Sequence, residues 1–343
     1  MLTAPEDCGD EVTNGIFVVV PLITPSVNIR YAIDEVLKHG RDPEWVRKRF
    51  LSHVVARYFE WNPPEGRSRV VDHDWDTLLL LDACRYDLFK EALADHSLPG
   101  ELSMRKSMAS GTPDYLAENF EGDTFHDIVY VTANPYIDTE LPENTFHHVI
   151  SVWRERWDDE LGTVLPETVA EAAREARENY PNKRIIVHFN QPHTPFIGET
   201  RISGRGMHNL RSRAIGGNNQ VDSRTPFEKL GAGELDRESV WEGYRANLDR
   251  VLPVAKDILT SFQGLTVITS DHGNALGEPA WPFPIRVYGH PLGTLIPPLI
   301  EVPWFTHNNG ERIKICSGQP TDDKEKAIPR EVEERLQDLG YSE

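Results

Sequence analysis

A chain of 343 residues with a formal net charge of −19 is long enough for one large α/β domain or two smaller ones. That charge argues against binding nucleic acid through a basic surface. Ten Lys against 26 Arg, in so acidic a chain, is the balance of a salt-adapted (halophilic) protein, because high salt screens self-repulsion.

Cys8, Cys84 and Cys316 show no CxxC spacing and suit a reducing compartment without a disulfide framework. The apolar run 16–23 is too short to span a bilayer, and it follows acidic residues rather than the basic start of a signal peptide. The expectation is a cytoplasmic chain with no transmembrane segment.

Residues 1–71 read as an N-terminal arm and helical extension. Within 29–61, Ile33, Val36 and Leu37, then Trp45, Phe50, Leu51, Val54, Val55 and Phe59, recur at helical spacing, with a break at Asp42-Pro43. From residue 72 onward, strands and helices alternate. A strand at 77–81 precedes a helix over 86–95. Thr112, as N-cap, and Pro113 open a helix through Phe120. Strands follow at 127–132 and 148–152, then an amphipathic helix at 166–179 and a strand at 184–190. A helix over 239–262 leads into the strand at 265–270. This order predicts a mostly parallel central sheet with helices on both faces. Residues 198–236 interrupt it as an inserted loop rich in Gly, Arg, Asn and Ser. Its Arg201, Arg205, Arg211, Arg213 and His208 either guide an anionic ester or are solvated loop charges. Residues 329–341 predict a short helix with Val332, Leu336 and Leu339 on one side.

Three apolar runs end in metal-binding residue types. The run 77–81 leads into Asp82, 265–270 into Asp271-His272-Gly273, and 184–190 into Gln191-Pro192-His193. Open α/β sheets bind ligands outside the carboxyl ends of their strands. Carboxylate with imidazole favours zinc or manganese and leaves calcium or magnesium open. A nucleophilic oxygen is best placed at a helix start, where free backbone N–H groups face a transferred anion. Thr112 offers that position, with Ser110 two residues earlier as the alternative.

Taken together these motifs resemble the alkaline phosphatase superfamily in its sulfatase-like branch, in the manner of salt-adapted archaeal sulfatase-like proteins. The run Thr269-Ser270-Asp271-His272-Gly273-Asn274 is the most specific match. Asp82 in Leu-Leu-Asp-Ala-Cys-Arg, Gln-Pro-His193-Thr-Pro, Tyr-Gly-His290 and the trailing Leu339-Gly340-Tyr341 are similar in a looser way. The resemblance implies an alkaline-phosphatase-like three-layer α/β fold over 72–343. It implies a divalent metal held by Asp82, Thr112, Asp271 and His272, with Thr112, His193 and His290 catalytic. Substrate contacts would come from Arg85, Ser110 and Asn190, although Arg85 could equally pair with Asp87.

The chain departs from the family pattern at two points. The C/S-x-P-x-R motif of sulfatases is missing, which turns the expectation from sulfate esters toward phosphate esters. Two-metal members take an Asp and a His four apart after the strand at 184–190, whereas Asn190 and His193 here are three apart with no Asp. One metal site is therefore expected, with His193 and His290 as a partial second. The function so implied is a metal-dependent hydrolase or transferase of phosphate, less so sulfate, esters. Its substrate could be a glycan or a lipid-linked intermediate. The alternatives are a catalytically silent sulfatase-like protein that binds a glycan or anionic polymer, and a two-metal phosphomutase-like enzyme.

Overall fold

A computed structural model describes residues 37–198, 224–320 and 329–341. The apolar run 16–23 and the Arg/His cluster at 201–213 lie outside the described residues. The strands are β1 (Thr77–Leu81), β2 (Glu101–Lys106), β3 (Phe125–Thr132), β4 (Phe146–Ser151), β5 (Arg184–Phe189), β6 (Gly264–Thr269), β7 (Ala275–Pro279), β8 (Arg286–Gly289) and β9 (Glu301–Asn309). The larger helices are α1 (Pro43–Phe50), α2 (Ala56–Trp61), α3 (Tyr86–Ala92), α4 (Thr112–Phe120), α5 (Pro166–Asn179), α6 (Arg237–Ser261) and α7 (Pro329–Leu339).

Seven strands form the central sheet in the order β2-β9-β6-β1-β5-β3-β4. The five from β6 to β4 are parallel, while β9 and β2 complete one edge antiparallel. β1 is Thr-Leu-Leu-Leu-Leu and wholly buried, as a central parallel strand covered on both faces must be.

Alternation along the strands sorts the core into two layers. Leu79, Leu81, Val131 and Val187 pack with Leu88 and Phe89 of α3, Ala173 of α5 and Leu248 of α6. Leu78, Leu80, Tyr130 and Ile186 pack with Tyr115, Leu116 and Phe120 of α4. This is the three-layer α/β architecture that the motifs implied. In α5 the small buried Ala170, Ala172, Ala173 and Ala176 let the helix lie close to the sheet.

Asp42 caps α1 by accepting from the Glu44 N–H, and a π-helical turn, Leu51–Val55, runs α1 into α2. Leu51, Val55 and Phe59 pack on Ala275 and Val287 of the β7–β8 hairpin and on Leu299 and Ile300. The helical extension therefore rests against the carboxyl-terminal half of the chain.

The structure corrects two local readings. Gly111, not Thr112, is the N-cap of α4, and Thr112 is its first helical residue. A Cβ on Gly111 would lie 2.4 Å from Leu292 Cδ2, so a larger residue there would have to push that exposed side chain aside. Within the stretch read as a loop, Pro226–Gly231 is helical, started by a capping box in which Thr225 and Glu228 bond reciprocally.

Candidate metal centre

β6, β1 and β5 are neighbours at the middle of the sheet, so their carboxyl ends converge. Asp82 follows β1, and Asp271 and His272 follow β6. One donor atom from each of the three lies within 4.8 Å of the others, and all three side chains are buried. Among the described residues this is the one such group of carboxylate, imidazole or thiol donors.

Ala83 turns back in the left-handed region at φ 59°, a conformation that disfavours a Cβ. The turn aims its N–H at Asp271 Oδ1, 3.0 Å away, beside the His272 N–H at 2.9 Å. Asp271 Oδ2 accepts from Thr112 Oγ1 at 2.7 Å. Burial pushes the Asp271 pKa up, but His272, His188 and these hydrogen bonds outweigh it and leave it lowered. Asp82 goes the other way. Burial and the neighbouring Asp271 charge raise it well above the usual carboxylate range, against donors from Tyr341 at 2.7 Å and Asn134 at 2.9 Å on Oδ2.

His272 Nδ1 bonds the Gly273 carbonyl at 2.9 Å, which requires Nδ1–H. Its Nε2, a lone pair in the neutral ring, faces Asp82 Oδ1 at 3.7 Å and Asp271 Oδ2 at 3.5 Å. Asp82 Oδ1 has no hydrogen-bond partner. Lone pairs turned on one another in a dry site are costly unless a cation lies between them. The residues present therefore fit a divalent ion.

Thr112 Oγ1 is 3.4 Å from His272 Nε2 and 3.3 Å from the Tyr341 hydroxyl. Its position in the first turn of α4 leaves backbone N–H groups without intrahelical acceptors beside it. His193 and His290 meet Nε2 to Nε2 at 2.9 Å. His193 Nδ1 bonds the Thr194 carbonyl at 2.9 Å and so carries hydrogen, which makes His290 Nε2–H the donor of the pair. Burial lowers the His193 pKa to about 4 and holds His290 well below the usual imidazole value, with His272 and His193 adding to the latter. Tyr341 stacks on His193 at 4.5 Å and 7°.

The structure brings Asp82, Thr112, Asp271, His272, His193 and His290 together but gives the three expected substrate contacts other partners. Arg85 pairs with Asp87 at 2.5 Å and with Glu278 at 2.8 Å. Ser110 Oγ donates to the Pro291 carbonyl at 3.0 Å and accepts from the Thr294 N–H at 3.2 Å, pinning the turn after His290. Asn190 Nδ2 donates to Thr163 Oγ1 at 3.1 Å, while its Oδ1 has no hydrogen-bond partner. Cys84 is buried and free, with its thiol pKa raised by burial, whereas Cys316 is disulfide-bonded, against the expectation of a chain without disulfides.

Three site residues were missed from sequence. His188 on β5 points Nε2 toward both carboxylates, Asn134 holds Asp82, and Tyr341 enters from the C-terminal tail. A lone His inside an otherwise apolar strand was the available signal for the first.

Fold and site together define an α/β protein with a buried carboxylate–imidazole centre beside a hydroxyl at a helix start. No protein-family model and no curated protein matches the chain. Similar solved structures include the integral membrane protein lipooligosaccharide phosphoethanolamine transferase A (EptA) from Neisseria meningitidis, at 11% identity and a TM-score of 0.39. That match covers 81% of this chain and 57% of EptA, so the chain spans little more than half of that protein. The zinc complex of the C-terminal periplasmic domain of EptC from Escherichia coli matches at 13% identity and a TM-score of 0.36, over 70% of this chain and 75% of that one. A protein in the alkaline phosphatase superfamily from Vibrio parahaemolyticus matches at 14% and 0.33, over 80% and 67%. Scores this low carry no argument about chemistry. Among the described residues no helix is long and apolar enough to cross a membrane.

Proposed function

We propose that the chain is a metal-dependent enzyme that cleaves or transfers phosphate esters through Thr112. The observation that carries the reading is the buried Thr112 hydroxyl, 2.7 Å from Asp271 Oδ2 and facing the donors of a divalent metal. Asp82, Asp271 and His272 would hold the ion, with Thr112 at its edge. Bound there, a zinc- or manganese-type ion would lower the pKa of a neighbouring hydroxyl and polarise the ester.

Thr112 Oγ1 attacks phosphorus in line. The new Oγ–P bond forms as the bond to the leaving alcohol breaks, and the hydroxyl proton, directed at Asp271 Oδ2 in the resting site, ends on that alcohol. Water or an acceptor alcohol then displaces Thr112 from phosphorus and returns a proton to it. In the first turn of α4, Pro113 has no N–H and the Tyr115 N–H bonds the Gly111 carbonyl. The Thr112 and Asp114 N–H groups would be the ones available to the transferred oxygens. His193 and His290, held neutral by burial, act as hydrogen-bond partners of substrate rather than as proton donors. A phosphoester suits an unmodified Thr better than a sulfate ester does.

The test is acid-quenched incubation of the metal-loaded chain with an aryl phosphodiester, followed by peptide mass spectrometry. A Thr112 peptide carrying the phosphoryl group with its remaining ester substituent supports the reading. Absence of both turnover and adduct would favour a catalytically silent binding protein.

A further inference from the structure

His188 sits where β5 should bury a hydrocarbon. It pairs in register with Leu80 of β1 and Thr132 of β3, on the sheet face that carries Leu78, Leu80, Tyr130 and Ile186. The ring is 1% exposed. Nδ1 lies 3.1 Å from the Tyr130 hydroxyl. Nε2 has no hydrogen-bond partner and points into the metal centre, 4.0 Å from Asp82 Oδ2 and 3.9 Å from Asp271 Oδ2. A buried polar atom without a partner costs about 1–3 kcal/mol, so its direction calls for a ligand.

We propose that His188 is a fourth protein ligand of the metal held by Asp82, Asp271 and His272. The proposal deepens the metal-centre reading above and rests on it. Donors about 2.0–2.2 Å from a tetrahedral ion stand about 3.3–3.6 Å apart. Both imidazoles face Asp271 Oδ2, at 3.5 Å from His272 and 3.9 Å from His188, and they flank Asp82 on its two oxygens, Oδ1 at 3.7 Å and Oδ2 at 4.0 Å. His188 lies outside the tighter three-residue group and must move inward to share its ion. Two carboxylates balance a divalent charge, and two imidazoles turn the site toward zinc, cobalt or manganese and away from magnesium and calcium. The Tyr130 hydroxyl on Nδ1 fixes the ring, as outer partners of metal-bound histidines commonly do. With four protein donors on the ion, Thr112 would join as a fifth only if the ion expands to five-coordinate during the reaction.

Metal binding, independent of turnover, tests this. The full chain is stripped with a chelator and titrated with cobalt(II), followed by visible d–d absorption and calorimetry. The parent should bind one ion with the strong visible bands of a low-coordinate nitrogen–oxygen site. His188→Leu, matched to its apolar neighbours, should lose more than the roughly 10–100-fold affinity that removing an outer partner costs, and its bands should shift. Tyr130→Phe should lose within that range and keep the band pattern. His188→Gln, checked for a cooperative melt, replaces the leucine variant if that one fails to fold. A folded His188 variant with parental affinity and spectrum would overturn the proposal and leave the three-residue centre standing. A parent chain that binds no cobalt(II) would overturn both.

Discussion

Replacing Asp82 with Asn should make the metal-free protein more stable while abolishing the stabilisation that metal provides. Asp82 and Asp271 place carboxylate oxygens within 4.8 Å in a buried site. At that separation and an effective dielectric of ~20, two unit charges repel by roughly 3 kcal/mol. Asp82 relieves part of this by holding a proton, as its raised pKa indicates. An Asn oxygen can still accept from Asn134 and Tyr341, and its amide would point at His272 Nε2, now 3.7 Å from Oδ1. The net gain should be about 1–3 kcal/mol, or roughly 1.5–4 °C in melting temperature for a chain of this length. Zinc at a hundred times its Kd would raise the parent by about 2.7 kcal/mol and the variant by almost nothing. Scanning calorimetry in chelator and in zinc would therefore show the two curves change order. If Asp82→Asn melts below the parent in chelator, Asp82 is a structural acceptor and not a strained ligand. If zinc stabilises the variant as much as the parent, it is no ligand at all.

Thr112→Val keeps the side-chain shape and should lower phosphodiesterase turnover by roughly 10³-fold or more, while Thr112→Ser stays within about tenfold. Equal activity in all three would refute Thr112 as nucleophile. Ser110→Ala breaks the hydrogen bonds to the Pro291 carbonyl and the Thr294 N–H and should cost about 1–3 kcal/mol of stability, yet leave the Thr112 phosphoryl adduct trappable. Its loss in a folded Ser110→Ala variant would shift the nucleophile to Ser110. In chelator, stability should fall as pH drops from about 6.5 to about 4. His188 and His193 bind protons near 4 when folded and near 6.5 when unfolded, on the order of 3 kcal/mol each at full effect, with His290 acting in the same direction. Asp82, raised in the fold, opposes them, since its contribution falls as pH rises from its unfolded value through its folded one. His193→Gln should flatten the profile, and a melting temperature that climbs toward pH 5 would show that the carboxylate pair dominates.

The parallel core was legible because a strand buried on both faces is largely apolar, as the runs at 77–81, 185–187 and 265–268 are. β2 was not, since its Glu-Leu-Ser-Met-Arg-Lys is largely exposed and gains its place only by pairing with β9. Residues that follow a strand directly were read well, because a strand end fixes where the next side chain emerges. Asp82, Asp271 and His272 are of this kind. The Arg85–Asp87 pair was legible from its spacing, whereas the other partners of Arg85, Ser110 and Asn190 were not, because a residue type says nothing of its partner. Glu278, Pro291 and Thr163, which take them up, lie far along the chain or on another layer.

His188 shows a different limit. Whether a residue within a strand reaches a site depends on register, and register is set by pairing between segments about a hundred residues apart. Leu80 opposite His188, and Leu80 again opposite Thr269, puts the imidazole one step inside the sheet from Asp82, on the face of α4. There it meets the carboxylates from beneath, while Thr112 approaches from the helix start. Tyr341 closes the same cluster from the far end of the chain, and its place depends on α7 docking through the Leu339 carbonyl on Thr194 Oγ1 at 3.0 Å. The centre is therefore deeper than its strand-end residues suggest. Its floor is a strand interior, its wall a helix start, and Tyr341 of the C-terminal tail lies against Thr112, Asp82 and the His193–His290 pair.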